Sequence, residues 1–450
     1  MKRVAIVGAD FAPSSLPPAL RIRFFATHLR EFGWEPIVIT TDPRHYETAL
    51  DPEIEALLPE GLRVIRTRAF SRRWARLVGI GDLGLRSLWQ HWRVLRDLCR
   101  RGEVDLLFLS VPPYASMVLG RLIHDEFGVP YVIDYIDPWA TDYYWNVPRS
   151  QRPPKWALAY AMARVLEPFA TRHVAHITGV SRGTTDMVRS RYPWLSASDA
   201  TEMPYGGETG DWEYICRHPR HNRIFDPSDR LLHVCSVGAY TEAMRPVLSA
   251  FFAAIRCART ADAAVLARLR LHFVGTNYSG GIPCVLAIAK EQGVADLVQE
   301  HPRRVPYLDA LQLLSDAHGL LVIGSMEPHY TASKIFPYIL SRKPLLTIFH
   351  EDSSVIRILQ ETGAGKMVTF DTQQSLEKKI EELAFRVREL VLLPSGYRPD
   401  TRWDGFEAYT TRAMTARLAA VFDEVLRRAP LQSDKRASVA YCSNAKVNHL

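Results

Sequence analysis

The sequence has few cysteines and no long hydrophobic run, and both shortages exclude classes of protein. Its six cysteines are scattered among 450 residues without a paired C-x-x-C spacing, which argues against a disulfide framework and against the usual zinc sites. No run approaches the roughly 18 apolar residues of a membrane span. The apolar stretch from Val4 to Ala9 stops at Asp10, too early for a secretion signal. We therefore expect a cytoplasmic protein, at most peripheral on the inner face of the membrane.

Metal-binding and nucleic-acid-binding patterns are also scarce. No Asp-x-Asp pair suited to Mg²⁺ occurs, so we expect no metal and no cofactor. Zinc-finger and RNA-binding aromatic motifs are missing, as are internal repeats, so we expect no nucleic-acid partner. What remains is an ordinary globular composition, 47% hydrophobic and 23% charged. A length of 450 residues then favours two domains.

Positive charge is concentrated in one segment. The formal net charge is +7, yet residues 63–101 hold eleven arginines against two aspartates, and a local excess of this kind makes a local field. Aromatic residues lie between the arginines, among them Phe70, Trp74, Trp89 and Trp92. Arginines beside aromatic rings suit a lipid headgroup layer, so we predict a peripheral membrane contact through residues 63–101. The alternatives are an amphipathic helix over residues 85–99 with solvated arginines, or nucleic-acid binding.

Short apolar strands alternate with helical patterns along the chain, which is typical of parallel α/β sheets. The first series predicts strands at 1–10, 36–41, 62–67, 104–110, 130–134 and 175–181. A glycine- and proline-rich stretch interrupts the pattern, and a second series follows at 231–237, 269–274, 298–301, 319–323 and 344–349. We predict an acceptor-side domain over 1–203, a linker over 204–230, a nucleotide-sugar domain over 231–400, a crossing helix over 401–428 and a disordered tail over 429–450. Two such sheets in series would bind ligands in a cleft beyond the carboxyl ends of their strands.

Two glycine turns follow strands of the second series. Gly238 ends a strand and leads through Tyr240 and Thr241 into a helix, whose free amides and dipole form an anion site. Gly275 follows the next strand. A plain strand-to-helix turn is the alternative for Gly238.

A crowded polar loop supplies the other candidates. Glu327, His329, Tyr330, Ser333 and Lys334 lie together in an otherwise apolar stretch, and polar loop residues on a rigid sheet tend to be functional. A lysine and a serine at a helix start could hold a diphosphate. The alternative is that Ser333 caps the helix while Glu327 and Lys334 form a surface pair.

Four segments carry a resemblance to a known family. Residues 271–275 (LHFVG) and the pattern through residue 318 look like a donor-domain progression of strand, helix, strand and helix. Residues 333–344 begin SKIFPY and end in KP, 203–208 read MPYGGE, and 133–139 read IDYIDPW. These resemble, in turn, the signature helix, the interdomain turn and the acceptor-domain segment of GT-B fold glycosyltransferases, particularly the family 4 type. The resemblance covers roughly residues 1–428.

That resemblance implies a fold and a set of roles. The fold would be two Rossmann-like doubly wound parallel-sheet domains facing across a cleft, with the C-terminal helix crossing back to the first domain. The second domain would hold a nucleotide-diphosphate sugar and the first would receive the acceptor, with retention of anomeric configuration. Lys334 would match a phosphate-binding position and Tyr307 a nucleobase contact. The family glutamate for the ribose falls at Pro337, and Arg245 is a substitute for the basic residues of the Gly238 loop.

The resulting hypothesis is a hexosyl-type glycosyltransferase that acts on a glycan or lipid-linked acceptor in cell-surface polysaccharide biosynthesis. Positive groups and helix amides can stabilise the leaving diphosphate without a metal. Asp137 and Asp134 are the carboxylates expected to position or deprotonate the acceptor, and His329 is a lesser acid/base candidate. The donor-binding candidates are Gly238, Tyr240, Thr241, Arg245, Gly275, Tyr307, Glu327, Tyr330, Ser333 and Lys334. Two alternatives are a sugar-nucleotide epimerase of the same shape and a degenerate scaffold of a glycan assembly complex, which Pro337 would favour.

Overall fold

A computed structural model describes residues 1–77, 81–142, 145, 149, 152, 155–277, 284–328 and 330–428. The chain forms two compact units. The first contains Met1–Pro204 together with the segment that begins at Arg412, and the second is Tyr205–Thr411. The predicted tail from residue 429 on lies outside the described residues.

The first unit is built on a sheet of seven parallel strands. Its strands are β1 (Lys2–Val7), β2 (Trp34–Thr41), β3 (Arg63–Thr67), β4 (Leu106–Val111), β5 (Tyr131–Tyr135), β6 (His176–Gly179) and β7 (Ala200–Glu202). Its helices up to residue 204 are α1 (Pro17–His28), α2 (Arg72–Leu77), α3 (Leu83–Arg100), α4 (Val118–Phe127), α5 (Trp156–Thr171) and α6 (Arg182–Arg191). In the strand order β3-β2-β1-β4-β5-β6-β7, the direction in which successive strands are added to the sheet reverses between β1 and β4. Ligands bind at such reversal points in open α/β sheets.

The second unit repeats this architecture with six parallel strands. They are β8 (Leu232–Val237), β9 (Leu269–Val274), β10 (Val298–His301), β11 (Gly319–Ile323), β12 (Leu345–His350) and β13 (Lys366–Phe370). The helices are α7 (Thr209–Arg217), α8 (Arg245–Ala261), α9 (Ala263–Ala267), α10 (Val285–Glu291), α11 (Tyr307–Asp316), α12 (Ile335–Leu340), α13 (Ser354–Thr362), α14 (Gln373–Lys378), α15 (Ile380–Leu392) and α16 (Trp403–Glu407). The order β10-β9-β8-β11-β12-β13 places the reversal between β8 and β11.

Both sheets have the burial that their sequences predict. All residues of β4, β5 and β11 are buried, as expected for strands covered on both faces. The core of the second unit lies between its sheet and helices α8 and α15, with Phe251, Phe252 and Val387 among its members. The predicted fold of two doubly wound parallel sheets is thus confirmed.

The final helix, α17 (Thr411–Arg428), belongs to the first unit from Arg412 on. Phe422 of α17 packs edge-on against Trp34 and Phe108, with ring centroids 5.2 and 5.4 Å apart. Asp423 accepts hydrogen bonds from the indole of Trp34 and from the ammonium of Lys2. The chain therefore returns to the first unit after completing the second.

Several boundaries differ from the sequence-based ones. Residues 204–230 contain α7, and all of them after Pro204 belong to the second unit, because Asp211 of α7 accepts a hydrogen bond from Tyr307 at the start of α11. The single crossing helix predicted over residues 401–428 is two helices, α16 in the second unit and α17, which belongs to the first unit from Arg412 on. None of the helices among the described residues is long and apolar enough to cross a membrane.

Candidate functional site

Three loops of the second unit meet at its reversal point. The amide of Gly238, after β8, donates to the carbonyl of Val274 at 2.8 Å, and the amide of Tyr240 donates to Thr276 at 2.9 Å. The loop after β11 is joined to them because Met326 donates to the carbonyl of Ala243 at 3.2 Å. The loops after β8, β9 and β11 are therefore held together at the carboxyl edge of the sheet.

Lys334 extends into this edge and reaches the Gly238 turn. Gly238 has φ +135°, and a Cβ added there would lie 3.0 Å from the Lys334 Nζ. No hydrogen bond or ion pair of this ammonium is found within the described part of the chain. Desolvation lowers the pKa of Lys334 to about 8, because burial disfavours the charged form when no anion compensates it. An unpaired ammonium beside a glycine turn is suited to bind an anion.

Tyr338, one turn after Lys334, anchors the end of β8. Its hydroxyl accepts from the Val237 amide at 2.6 Å and donates to the Val237 carbonyl at 3.1 Å. The side chain is buried, and burial raises the pKa of its hydroxyl. Tyr338 thus couples α12, which follows Lys334, to the strand that ends at Gly238.

The other residues of the polar loop occupy varied positions. Glu327 is exposed, and its amide donates to the hydroxyl of Ser325. Tyr330 stacks on Phe349 at 6.1 Å between ring centroids. The structural alternative for this loop, a Ser333 helix cap with a Glu327–Lys334 ion pair, does not occur among the described residues. Helix α12 has no side-chain cap, and Glu327 and Lys334 form no ion pair. Ser333 is half-buried beside Lys334, and His329 lies outside the described residues.

The residues around the Gly238 loop contribute unequally. Thr241 is exposed and makes no side-chain cap for the 3₁₀ turn that follows it. Tyr240 is packed against the core, its hydroxyl has no hydrogen-bond partner among the described residues, and burial raises the pKa of that hydroxyl. Arg245, the expected substitute for the family's basic residues, forms an ion pair with Glu291 of α10 at 2.7 Å. Lys334 is therefore the cation that the structure leaves beside Gly238.

Two further donor candidates have structural contacts. Gly275 has φ +72°, and its amide donates to the carbonyl of His301, which joins the ends of β9 and β10. The hydroxyl of Tyr307 donates to the buried Asp211 at 2.6 Å. The polar atom of Tyr307 is thus used to hold α7 against α11, and a nucleobase contact could come only from its ring.

In the first unit, Asp134 has a structural role, which corrects the expectation that it handles the acceptor proton. Its carboxylate is fully buried and pairs with Arg21 through two hydrogen bonds of 2.7 Å. The hydroxyls of Ser110 and Thr178 also donate to it, at 3.1 and 2.7 Å. Arg21 in turn donates to the Met203 and Pro204 carbonyls. With both oxygens doubly hydrogen-bonded and no exposure to solvent, Asp134 is not available to a substrate hydroxyl.

Asp137 has the opposite character. It follows β5, its side chain is exposed, and it makes no hydrogen bond or ion pair with any described residue. The surrounding protein partly desolvates it and raises the pKa of its carboxyl. A free carboxylate with a raised pKa at the carboxyl edge of a sheet is a candidate proton acceptor.

Sequence reasoning missed one candidate in the first unit. Asp10 follows β1 at the reversal point, is nearly buried and accepts from the Ser14 hydroxyl at 2.8 Å. Desolvation raises the pKa of its carboxyl. Its position directly after the first apolar strand was a usable signal, because β1 borders the reversal point in this strand order. Within the described ranges, no group of three or more His, Cys, Asp or Glu side chains is placed to hold a metal ion.

Comparison with known families identifies the class. Residues 18–206 match the glycosyl transferase 4-like domain, which covers nearly all of the first unit before the chain enters the second. Together with the two doubly wound sheets, this match shows a GT-B fold whose amino-terminal unit carries a glycosyl transferase 4-like domain. No curated protein matches the sequence significantly.

Solved structures with the same fold span nearly the whole chain. HepE from Anabaena, solved with UDP and glucose, is 13% identical, with a TM-score of 0.58 over 94% of this chain and 100% of HepE. Sucrose-phosphate synthase from Thermosynechococcus elongatus is 12% identical, with a TM-score of 0.59 over 95% of this chain and 100% of that one. UDP-GlcNAc 2-epimerase from Methanocaldococcus jannaschii is 11% identical, with a TM-score of 0.51 over 94% and 100%. At these identities the similarity establishes the fold.

Proposed function

We propose that this glycosyltransferase moves a sugar from a nucleotide-diphosphate sugar to a glycan or lipid-linked acceptor in cell-surface polysaccharide biosynthesis. We further propose that it retains the anomeric configuration and needs no metal. The second unit binds the donor and the first unit binds the acceptor. The observation that carries the donor assignment is the unpaired ammonium of Lys334 against the Gly238 turn.

The chemistry of transfer explains why such an ammonium is useful. As the bond between the anomeric carbon and the diphosphate oxygen breaks, negative charge grows on the leaving diphosphate. A cation and main-chain amides that are already in place stabilise this charge more in the transition state than in the bound donor. Lys334 supplies the cation, and the turn from Gly238 into α8 supplies amides at the positive end of a 17-residue helix. This arrangement supports departure of the diphosphate.

The acceptor hydroxyl must lose a proton as its oxygen bonds to the anomeric carbon. We assign the acceptor-side role to Asp137, because its carboxyl is exposed and unpaired whereas Asp134 is saturated. The raised pKa of Asp137 makes its carboxylate a stronger base than that of an ordinary aspartate.

The alternatives are separated by one experiment. Calorimetry with UDP, GDP and ADP and their sugar conjugates measures donor binding, and the products of the bound conjugate report the reaction. Binding with slow hydrolysis of the sugar–diphosphate bond supports the transferase. Conversion of the sugar with the diphosphate still attached supports an epimerase, and the epimerase of the same fold makes this worth measuring. No binding of any nucleotide supports a scaffold, for which Pro337 remains the main argument.

A lipid-linked acceptor also requires contact with a membrane. We propose such a contact for the first unit, where sequence reasoning favours residues 63–101. Of the eleven arginines there, six form ion pairs with residues that the structure describes, namely Arg63, Arg66, Arg72, Arg86, Arg96 and Arg101. Phe70 and Trp89 of this segment are exposed. The free positive charge is therefore smaller than the sequence indicates, and the aromatic residues become the stronger argument for this surface.

A further inference from the structure

Helix α5 of the first unit has its polarity reversed. A surface helix normally buries its apolar side and exposes its polar side. In α5, Glu167 and Thr171 are fully buried, where Glu167 accepts hydrogen bonds from the Tyr192 hydroxyl and the Ala140 amide. The exposed side carries Leu158, Val165 and Phe169, which are 56%, 68% and 38% exposed.

The apolar residues of this side form one continuous stripe, in which Met162 is half-buried and the other three are exposed. Leu158, Met162, Val165 and Phe169 follow one another at intervals of four, three and four residues, so they lie on one face of the helix. Alanines at 157, 159 and 161 are exposed beside them. Only two of the 16 residues of α5 are charged, the buried Glu167 and the exposed Arg164. An exposed apolar stripe of this kind marks an interaction surface.

The charges around the stripe indicate what covers it. Lys155, Arg164 and Arg172 are exposed along the helix, and the guanidinium of Arg121 lies 5.1 Å from the ring of Phe169. The carboxylates nearby are engaged: Asp125 pairs with Arg121, and Asp142 accepts from Tyr160. An apolar face bordered by cations fits an anionic lipid surface.

Aromatic residues at and before the start of α5 also favour contact with a lipid surface. Trp145 and Trp156 pack edge-on at 4.8 Å between ring centroids, and Tyr160 lies 5.8 Å from Trp145. The guanidinium of Arg152 lies over both indoles, at 5.8 and 4.8 Å. Indole and phenol rings beside cations favour the headgroup layer of a bilayer.

We propose that α5 lies in the plane of an anionic membrane, with Leu158, Met162, Val165 and Phe169 in the acyl boundary and the flanking cations among the headgroups. This inference deepens the proposed function, since it names the surface that brings the first unit to a lipid-linked acceptor. The inference depends only on α5. The protein could therefore bind vesicles without binding a nucleotide, or bind a nucleotide without binding vesicles, and the two experiments distinguish these cases.

The test is flotation of the full chain with vesicles of phosphatidylcholine and phosphatidylglycerol, and with phosphatidylcholine alone. Wild type floats with the anionic vesicles and less with the neutral ones. The variant Leu158→Glu/Val165→Glu loses binding on the order of tenfold or more, because two charges enter the acyl boundary. The matched control is Phe385→Glu/Leu392→Glu on α15, whose residues are each 58% exposed, and it floats like wild type. Thermal melting shows whether each variant is folded.

Three results overturn the proposal. Equal flotation of the α5 variant and wild type removes α5 from the contact. Loss only in Phe70→Glu/Trp89→Glu moves the contact to residues 63–101. A chain that ignores both kinds of vesicle but is dimeric in light scattering, with a monomeric α5 variant, makes the stripe an interface between two copies. If the melting temperature falls only in the α5 variant, its loss of binding could reflect unfolding, and Arg164→Glu replaces it as the test. This variant leaves the packing of α5 unchanged and should still weaken binding to the anionic vesicles. Unchanged binding of folded Arg164→Glu would also contradict the proposal.

Discussion

At the scale of single residues, Lys334 illustrates a conflict between binding and stability. An ammonium that has no counterion among the described residues and a pKa lowered to about 8 opposes folding at neutral pH, because it is more easily charged in the unfolded chain. A bound diphosphate would supply the negative charge that the site lacks. A residue kept for binding in this way destabilises the unliganded protein.

Replacing Lys334 should therefore change binding and stability in opposite directions. We expect Lys334→Met to weaken nucleotide-diphosphate binding at least tenfold. We also expect it to raise the free energy of unfolding at pH 7 by about 1–2 kcal/mol, after the pKa shift is discounted for the partial exposure of the side chain. Calorimetry and urea denaturation measure the two effects. Lys290→Met, at an exposed lysine of α10, should change neither, and unaltered affinity in Lys334→Met would refute the phosphate assignment.

The affinity should also depend on pH. The pKa of Lys334 is lowered to about 8, so in the free protein the ammonium loses its proton as the pH rises through 8. We expect nucleotide affinity to be constant below that pH and to fall above it, measured by calorimetry between neutral and alkaline pH. Lys334→Met should show no such fall, and a fall of the same size in that variant would assign the titration to another group.

The two neighbouring aspartates should separate stability from catalysis. Asp134→Asn leaves the buried Arg21 without its counter-charge and should lower the free energy of unfolding by roughly 3–5 kcal/mol. Asp137→Asn removes an exposed, unpaired carboxylate, so stability should change by no more than about 0.5 kcal/mol, whereas the rate of sugar transfer should fall by roughly 10²-fold. Urea denaturation and initial rates at saturating donor measure these effects. A fully active Asp137→Asn would place the base elsewhere, with Asp10 the next residue to test.

At the scale of elements, the geometry of the donor site depends on how α12 and β8 are joined. Tyr338 both donates to and accepts from Val237, and Gly238 follows immediately. The turn has φ +135°, a conformation that side chains with a Cβ rarely adopt. The position of the Gly238 amides is thus determined by one phenol and one glycine.

Tyr338→Phe should make the Gly238 turn less rigid while the phenyl ring still fills the space in the core. The loss of two buried hydrogen bonds predicts a decrease of about 1–3 kcal/mol in the free energy of unfolding, with weaker nucleotide binding and little change in the pH at which affinity falls. Calorimetry across pH distinguishes this positioning role from a direct contact, since removal of Lys334 abolishes the pH dependence. Tyr397→Phe, at an exposed tyrosine of the same unit, is the matched control. Unchanged affinity would mean that β8 holds the turn unaided.

Elements were predictable where their residues are buried on all sides. The predicted limits of β11 are those observed, because its continuous apolar run between two helices favours only a buried strand. The strands β7 and β13 were missed. Both lie at sheet edges and are only partly buried, so their sequences, ATE and KMVTF, lack a strong apolar signal.

The candidate site was predictable in part for the same reason. Strands that are parallel end at one edge, so residues after β8 and β11 could be expected near each other, and the structure places Gly238 beside Lys334. Side-chain partners far along the chain were not predictable: Arg245 pairs with Glu291 and Tyr307 with Asp211. Periodicity likewise predicted α5 as a helix but could not show which of its faces is exposed.

At the scale of the whole molecule, buried histidines should make both units sensitive to acid. Burial lowers the pKa of His91 and His176 in the first unit to about 4, and that of His272 in the second to about 3. Between these values and the ordinary pKa of 6.5 the unfolded chain binds more protons, so stability rises with pH in that window. The free energy of unfolding should fall as the pH drops below about 6.5, by up to about 1.4 kcal/mol per pH unit for each histidine.

Urea denaturation at pH 7 and at pH 5 measures this acid sensitivity. His91→Asn should reduce the slope for the first unit. Equal stability at the two pH values would mean that these histidines are protonated in the folded protein.

The return of α17 to the first unit also has a consequence for synthesis of the chain on the ribosome. Phe422 and Asp423 contact Trp34 and Lys2, so β1 and β2 obtain these partners only after the second unit has been synthesised. The inserted residues 205–411 are complete earlier and can fold while the first sheet is still unsealed. A stop codon placed before α17 would leave the indole of Trp34 without its cover, and a quality-control protease would meet a finished second unit attached to an unfinished first one.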